Sequence, residues 1–370
     1  MSSAPFTEPT YQAQLTEKID QTKEQFALEY LDVFASPISS FRMRAEFKIW
    51  HENNHVAYAM YQPGEYKKPY IVETFPEGST LIQTLMPRLL VELNANTEFS
   101  RKLFQAEFLT SLSGESLITL IYHRPLDDKW MEQAHQLATN IGCQIIGRSR
   151  KQKEFTGRDW IMESLVVNNQ NYRYQQIEAS FTQPNANVCE QMLNWAHDQS
   201  QNFEGDLLEL YCGNGNFTLP LSKNFRKVLA TEISKTSIRS ALYNCKLNNV
   251  SNIEFVRLSS EELTEAMQGV RSYRRLAHLN TKDFQFSTVF VDPPRAGLDP
   301  GTLTLVGQFE NILYISCNPN TLQANLETLE KTHTVETVAL FDQFPYTPHR
   351  EMGVVLKRKL KPGTPVCFKQ

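Results

Sequence analysis

The second half of this chain reads as a doubly wound α/β domain, preceded by an α+β segment, and three strand ends predict it. Ile312-Leu313-Tyr314-Ile315-Ser316 is a short apolar run that stops at Cys317 and an Asn318-Pro319 turn. Ser287-Thr288-Val289-Phe290-Val291 is a second, ending in Asp292-Pro293-Pro294-Arg295. Asp206-Leu207-Leu208-Glu209-Leu210-Tyr211 is a third, running into Cys212-Gly213-Asn214-Gly215-Asn216-Phe217. Apolar runs of this length bounded by turn formers are signals of buried strands. In an open α/β sheet, ligands bind at the carboxyl ends of the strands. One rim is therefore expected to receive a thiol, a carboxylate and a glycine turn, an arrangement suited to chemistry at sulfur.

In chain order, residues 11–34 space Leu15, Ile19, Phe26, Leu28, Leu31 and Phe34 among polar residues, which predicts an amphipathic helix closed before Pro37. From 41 to about 167 the pattern is mostly short strands, at 41–50, 55–61, 107–110 and 117–122, interrupted by helices at 79–94 and 126–141. That is an α+β arrangement. From Gln191 onward strands of five or six residues alternate with helices, the doubly wound pattern, so the boundary is expected between 176 and 185.

At 370 residues the chain exceeds one typical core, and 41% hydrophobic with 21% charged residues fits an ordinary soluble globular protein. No apolar stretch approaches the roughly 18 residues a bilayer demands, and the start Met1-Ser2-Ser3-Ala4-Pro5 lacks a signal pattern, so no membrane and a cytoplasmic address are expected. Cys143, Cys189, Cys212, Cys245, Cys317 and Cys367 include no pair at metal-ligand spacing, which argues against a zinc or iron-sulfur site and against a disulfide framework. The net charge of -4 does not advertise a nucleic-acid binder, but it is unevenly spread: residues 1–40 hold six acids and only Lys18 and Lys23, leaving the other 330 residues at zero. Among those, Arg148, Arg150, Lys151, Lys153 and Arg158 face a single acid, Glu154, within their stretch. A basic loop is a solvated surface or a phosphate tracker, and only a neighbouring catalytic domain with a large substrate favours the second reading.

Gly213 and Gly215 follow a buried strand and precede Leu219-Pro220-Leu221, where glycine lets backbone approach a ligand closely. Glu232 ends the next strand, 227–231, at 17 residues past Gly215. An acid at that place typically binds ribose hydroxyls. A pyrophosphate wants a third glycine, and here Thr218 follows instead, with Tyr211 and Asn216 flanking the loop. The combination fits S-adenosylmethionine, which carries a ribose but no phosphate. Asp292, a strand-end carboxylate, can then accept from an amine or a cationic neighbour.

The segments Leu207 through Thr218, Asp292-Pro293-Pro294-Arg295-Ala296-Gly297-Leu298, Ser316-Cys317-Asn318-Pro319 and Pro348-His349-Arg350-Glu351 together resemble the RNA 5-methyluridine methyltransferases. So do Lys102-Leu103-Phe104-Gln105-Ala106-Glu107-Phe108, Leu112-Ser113-Gly114-Glu115 and Ser180-Phe181-Thr182-Gln183-Pro184-Asn185. The resemblance implies residues 1–180 as an N-terminal helix and α+β RNA-binding region, and 181–370 as a Rossmann-like S-adenosylmethionine-dependent catalytic domain. It implies Cys317 as the nucleophile that adds to carbon 6 of uracil and Glu351 as the proton acceptor, although Arg350 beside Glu351 offers a plain ion pair instead. Gln183, Tyr211, Asn216, Glu232 and Asp292 match the family's cofactor contacts. Arg295 is a candidate partner for a uracil oxygen or Cys317, and Phe104 or Phe108 for stacking on RNA bases.

Ribosomal members of the same family often carry an iron-sulfur cysteine cluster or an N-terminal β-barrel. Here only Cys143 precedes residue 180, which points to the tRNA branch. Its substrate is the T-loop uridine of tRNA and, by shape, the similar loop of tmRNA, with no metal, acting as a monomer. The competing readings are a ribosomal RNA methyltransferase of the same family, an amino-group methyltransferase using Asp292-Pro293-Pro294, and an RNA-folding factor independent of methylation.

Overall fold

A computed structural model describes residues 6–62 and 64–359. Cys367 lies outside the described residues. The chain opens with α1 (Glu8–Phe26) and a short strand β1 (Asp32–Phe34), followed by β2 (Arg44–Glu52), β3 (His55–Gln62) and β4 (Glu65–Ile71). Next come α2 (Thr80–Ala95), the single turn α3 (Thr97–Ser100), β5 (Leu103–Thr110), β6 (Ser116–Tyr122), α4 (Asp128–Ile141), β7 (Gln144–Ser149) and β8 (Gln152–Phe155). β9 (Trp160–Val167) and β10 (Gln170–Ile177) form a two-stranded ribbon.

The remainder alternates: α5 (Ala186–Ser200), β11 (Asp206–Leu210), the single turn α6 (Thr218–Leu221), β12 (Val228–Thr231), α7 (Lys235–Leu247), β13 (Ile253–Val256), α8 (Ser260–Met267), β14 (Phe286–Val291), α9 (Pro300–Val306), β15 (Asn311–Ser316), α10 (Pro319–Leu329), β16 (His333–Phe341) and β17 (Glu351–Arg358).

The chain divides into two compact units. The first holds residues 1–10, 37–164 and 175–186; the second holds 11–36, 165–174 and 187–370. In the first unit β4-β3-β2-β5-β6-β7-β8 form a mixed sheet. Helices α2 and α4 bury Ile82, Leu85, Leu89, Trp130 and Leu137 with Phe47, Ile49 and Phe108 of the strands. Their starts are set chemically: the Ser79 hydroxyl accepts from the Ile82 amide and the Asp127 carboxylate from the Trp130 amide, satisfying donors that a helix end otherwise leaves bare. α4 stops at Gly142, which takes the left-handed conformation that ends helices cheaply.

In the second unit the described strands form an eight-stranded sheet ordered β1-β16-β17-β15-β14-β11-β12-β13, parallel except for β17, which runs against both neighbours. The chain winds outward from β11 through β12 and β13, then returns to lay β14 on the other side of β11. At such a reversal the flanking connections leave on opposite faces and open a crevice at the carboxyl ends.

One expectation changes. The predicted helix over 11–34 ends at Phe26, because Ala27 turns left-handed at φ 51 and the chain then extends into β1. Residues 11–36 belong to the second unit, where β1 pairs in parallel with β16 and Phe34 stacks on Phe341 at 4.8 Å.

Candidate active site

Strand register builds the rim. Leu210 pairs with Thr231 on one side and Val291 on the other, so the following residues Tyr211, Glu232 and Asp292 leave the sheet together. Tyr314 lies beside Val291, and β15 continues to Ser316, which pairs with Met352 of the antiparallel β17. Cys317 thus follows the last residue of β15 where Glu351 opens β17. Opposed strand directions deliver a thiol and a carboxyl to the same edge. The turn after Cys317 is fixed locally: Ser316 Oγ accepts from the Asn318 amide at 3.3 Å, and Asn318 Oδ1 accepts from the Asn320 amide at 3.1 Å to cap α10. Asn318 Nδ2 also donates to the Arg295 carbonyl at 3.0 Å, tying this turn to the one after β14.

The electrostatics at this edge are those of crowded acids. Burial pushes Asp292 up to about 7. Glu351, 3% exposed, is pushed well above the usual carboxylate range by burial and then by the Asp292 charge, with Arg295 pulling the other way. Two neighbouring carboxyls in a dry place do not ionise together readily. Cys317 is half-buried, and its thiol is raised by burial, then by Glu351 and Asp292, again opposed by Arg295. Arg295 is therefore the cation that favours both a thiolate and a carboxylate here.

Arg295 Nη2 donates to His349 Nδ1 at 2.8 Å. Burial and then the Arg295 charge hold His349 below its usual range, which keeps the ring a neutral acceptor. Sequence reasoning gave His349 no role, although it stands two residues before Glu351 in the same motif. Arg350 does not pair with Glu351: its Nη1 donates to Thr22 Oγ1 at 3.1 Å and its Nη2 to Gln25 Oε1 at 2.7 Å, both on α1.

At the glycine loop, Gly213 takes φ 56 and Gly215 φ 83. A Cβ at Gly215 would lie 2.8 Å from Leu219 Cδ1, whereas one at Gly213 would enter open space. Gly215 thus answers to packing, and Gly213 leaves room for a ligand. Glu232 holds the loop, accepting from the Gly213 amide at 3.1 Å and the Ser234 amide at 2.7 Å. Tyr211 is left-handed at φ 62 and its hydroxyl meets Ser260 Oγ at 2.7 Å. Asn216 Nδ2 reaches Cys189 Sγ at 3.3 Å, and its carbonyl accepts from the Tyr174 hydroxyl at 3.0 Å. Beneath them Glu209, which sequence reasoning also passed over, is buried with Oε2 unpartnered and is pushed up to about 8, by burial first. The orphaned acceptor, the open space at Gly213 and the strand-end acids fit a cationic, ribose-bearing ligand. Gln183 lies after β10, in a segment of the first unit. Among the described residues no three His, Cys, Asp or Glu side chains gather in a way that could hold a metal ion. No described helix is long and apolar enough to cross a membrane.

In the first unit, Phe108 is core, at 0% exposure, and Phe104 is 37% exposed. Lys48 Nζ sits 4.0 Å from the centre of the Phe104 ring, and the His123 ring lies 4.4 Å away. Neither Lys48 nor His123 was connected with Phe104 from sequence, since their strands meet only in the sheet. The basic loop is largely neutralised by acids from elsewhere in the chain. Its guanidinium donates twice to Glu178, at 2.6 and 2.5 Å, and Lys153 bridges Asp159 at 2.7 Å and Glu178 at 3.3 Å. Arg158 pairs with Glu115. The sequence count saw only Glu154 because Glu115 and Glu178 lie outside the counted stretch, just before β6 and just after β10. Arg150 and Lys151, at the β7–β8 turn, are exposed.

The fold alone is that of known methyltransferases. The structure of the Pyrococcus abyssi tRNA (uracil-54, C5)-methyltransferase in complex with S-adenosyl-L-homocysteine superposes with a TM-score of 0.74 over 96% of this chain and 87% of that one, at 22% identity. Sequence similarity is closer still. The tRNA/tmRNA (uracil-C(5))-methyltransferase of Cellvibrio japonicus is 56% identical over 360 residues, covering 96% of this chain and 98% of that protein, and its counterpart in Ectopseudomonas mendocina is 52% identical over 362 residues, covering 97% and 100%. Residues 10–359 match the family described as tRNA (Uracil-5-)-methyltransferase, and this chain belongs to that family.

Proposed function

We propose that this chain methylates carbon 5 of the T-loop uridine of tRNA, and of the corresponding loop of tmRNA, with S-adenosylmethionine as methyl donor and Cys317 as nucleophile. The observation that carries the reading is the meeting of Cys317, Glu351, Asp292 and Arg295 at one rim in a chain of this family. Action as a monomer in the cytoplasm, where tRNA is handled, completes the reading.

Carbon 5 of uracil is too weak a nucleophile to take a methyl group unaided. Addition of the Cys317 thiolate to carbon 6 pushes an electron pair onto carbon 5. The donor supplies an electrophilic methyl group on a cationic sulfur. Tyr211, Asn216, Glu232 and Asp292 are the residues that would hold it. Carbon 5 takes the methyl group, Glu351 removes the carbon 5 proton, and that electron pair reforms the double bond as the thiolate leaves carbon 6. A carboxylate with a raised pKa is the stronger base for that step. Arg295 favours the thiolate before addition. The uridine must leave its stack to expose carbon 6, and Phe104, backed by Lys48 and His123, is a surface on which displaced bases can stack.

Cys317→Ala tests the reading directly. It should abolish methyl transfer while leaving donor affinity intact, because the thiol acts on uracil. With a T-loop RNA carrying 5-fluorouridine the wild-type protein should form a denaturation-resistant adduct, since fluorine does not leave as a proton. The adduct should map to Cys317. Cys212 and Cys245 are buried, with Cys245 pushed up to about 11, and an adduct on either would overturn the assignment.

A further inference from the structure

Helix α1 takes no part in the chemistry above, yet four of its polar side chains meet one short segment. Residues 342–350 join β16 to β17 and end at Glu351. They carry no regular structure of their own, and Tyr346 is left-handed at φ 59, so the segment does not place Glu351 by itself. Gln14, Lys18, Thr22 and Gln25 are spaced three or four apart along one face of α1. Lys18, only 4% exposed, donates to Asp342 Oδ1 at 2.7 Å and to the Phe344 carbonyl at 2.8 Å. Gln14 donates to Asp342 Oδ2 at 3.0 Å and accepts from the Tyr346 amide at 3.2 Å. Thr22 and Gln25 take the two ends of the Arg350 guanidinium, at 3.1 and 2.7 Å. Four points of the segment are thus fastened to one rigid helix, and the last of them is the residue next to Glu351.

We propose that α1 is a positioning element for proton removal: through Thr22, Gln25 and Arg350 it sets where the Glu351 carboxyl stands, which rests on the reading of Glu351 as the base. Fixed geometry matters most for the step the group performs, since a displacement of about 1 Å can cost up to a hundredfold in rate. Cys317 is held by β15 and its own turn. Gln25 also donates to Asn320 Oδ1 at 3.0 Å and Gln323 Oε1 at 3.2 Å on α10, whereas the Thr22 hydroxyl bonds Arg350 and the Lys18 carbonyl, so Thr22 bears on Glu351 apart from the Cys317 turn. A brace that served stability alone would affect every step alike.

The test uses the full chain with Thr22→Val, which leaves the contacts of Gln25 with α10 in place, alone and combined with Gln25→Ala, so that the single variant remains informative if the double one folds poorly. Wild type and Glu351→Gln serve as references. T-loop RNA and a donor with a radiolabelled methyl group give two readouts: label in a denaturation-resistant protein–RNA adduct, and label in free RNA. Release of free methylated RNA should slow about tenfold or more, labelled adduct should accumulate, and donor affinity and melting temperature should stay near wild type. Thr22→Ser, which keeps a hydroxyl acceptor for Arg350, should release at the wild-type rate. Release at the wild-type rate by Thr22→Val, or an equal loss in both steps with a fall in melting temperature, would overturn the proposal. If Glu351→Gln traps label and the α1 variants do not, only the brace is wrong. If Glu351→Gln traps none either, the assignment of the base has failed and the brace falls with it.

Discussion

Asp292 and Glu209 are acids that the fold keeps reluctant to ionise, and each makes a pH-dependent outcome checkable. Burial pushes Asp292 up to about 7, so below that pH the site loses negative charge that a cationic donor needs. Donor affinity should rise as pH increases through about 7 and level off above it, and Asp292→Asn should bind more weakly with no such rise, by roughly the 1.5–3 kcal/mol of charge-assisted hydrogen bonding. Calorimetric titration across that range decides it; an unchanged slope in Asp292→Asn would remove Asp292 from the donor site. Glu209 is raised to about 8, chiefly by burial. The folded state then holds the proton more tightly than the unfolded chain, so stability is fullest at low pH and declines from the ordinary carboxylate range up to about 8. Glu209→Gln should flatten its share of that decline in urea melts, and an identical pH profile would refute the buried-acid account. At this scale the places of Cys317, Asp292 and Tyr211, each just past a strand end, were readable in the sequence. It was silent on pairs such as Arg295 with His349 and Lys18 with Asp342, which lie 54 and 324 residues apart and meet only through the sheet.

Among the elements, α2 and α4 fall close to their sequence expectations because capping residues and apolar period agree, whereas α1 was overextended because apolar spacing continues into β1 and nothing local announces the left-handed Ala27. The β7–β8 turn shows the limit of counting charge along the chain. Arg148 and Lys153 converge on Glu178, whose side chain is 4% exposed, and leave Arg150 and Lys151 exposed. Replacing those two with glutamine should weaken RNA binding and flatten its salt dependence by about 0.7–0.9 for each phosphate no longer neutralised. Arg148→Gln should act differently, lowering the melting temperature by leaving a buried carboxylate short of its partner. Salt dependence that changes with Arg148→Gln but not with the turn residues would reverse this division of labour.

For the whole molecule, the two compact units are not two consecutive halves of the sequence. The second unit draws on residues 11–36 and 165–174 as well as 187–370. A fragment of residues 181–370 therefore keeps the rim residues of the second unit and loses much of what supports them. Asp342, 0% exposed, would lose Lys18 and Gln14, and stripping the partner from a buried charge costs about 3–5 kcal/mol. β16 would become an exposed edge without β1, Phe341 would lose its stack with Phe34, and the Asn216 carbonyl would lose the Tyr174 hydroxyl. Against a total stability of about 5–15 kcal/mol for a typical domain, these losses leave little margin. The fragment is expected to lack a cooperative thermal transition. A separate peptide of residues 6–36 should restore part of the transition in a concentration-dependent way, because a ligand that binds only the folded form stabilises it by mass action. A fragment that melts cooperatively within a few degrees of the full chain, with no response to the peptide, would show that the N-terminal arm is an accessory rather than a structural member of the catalytic unit.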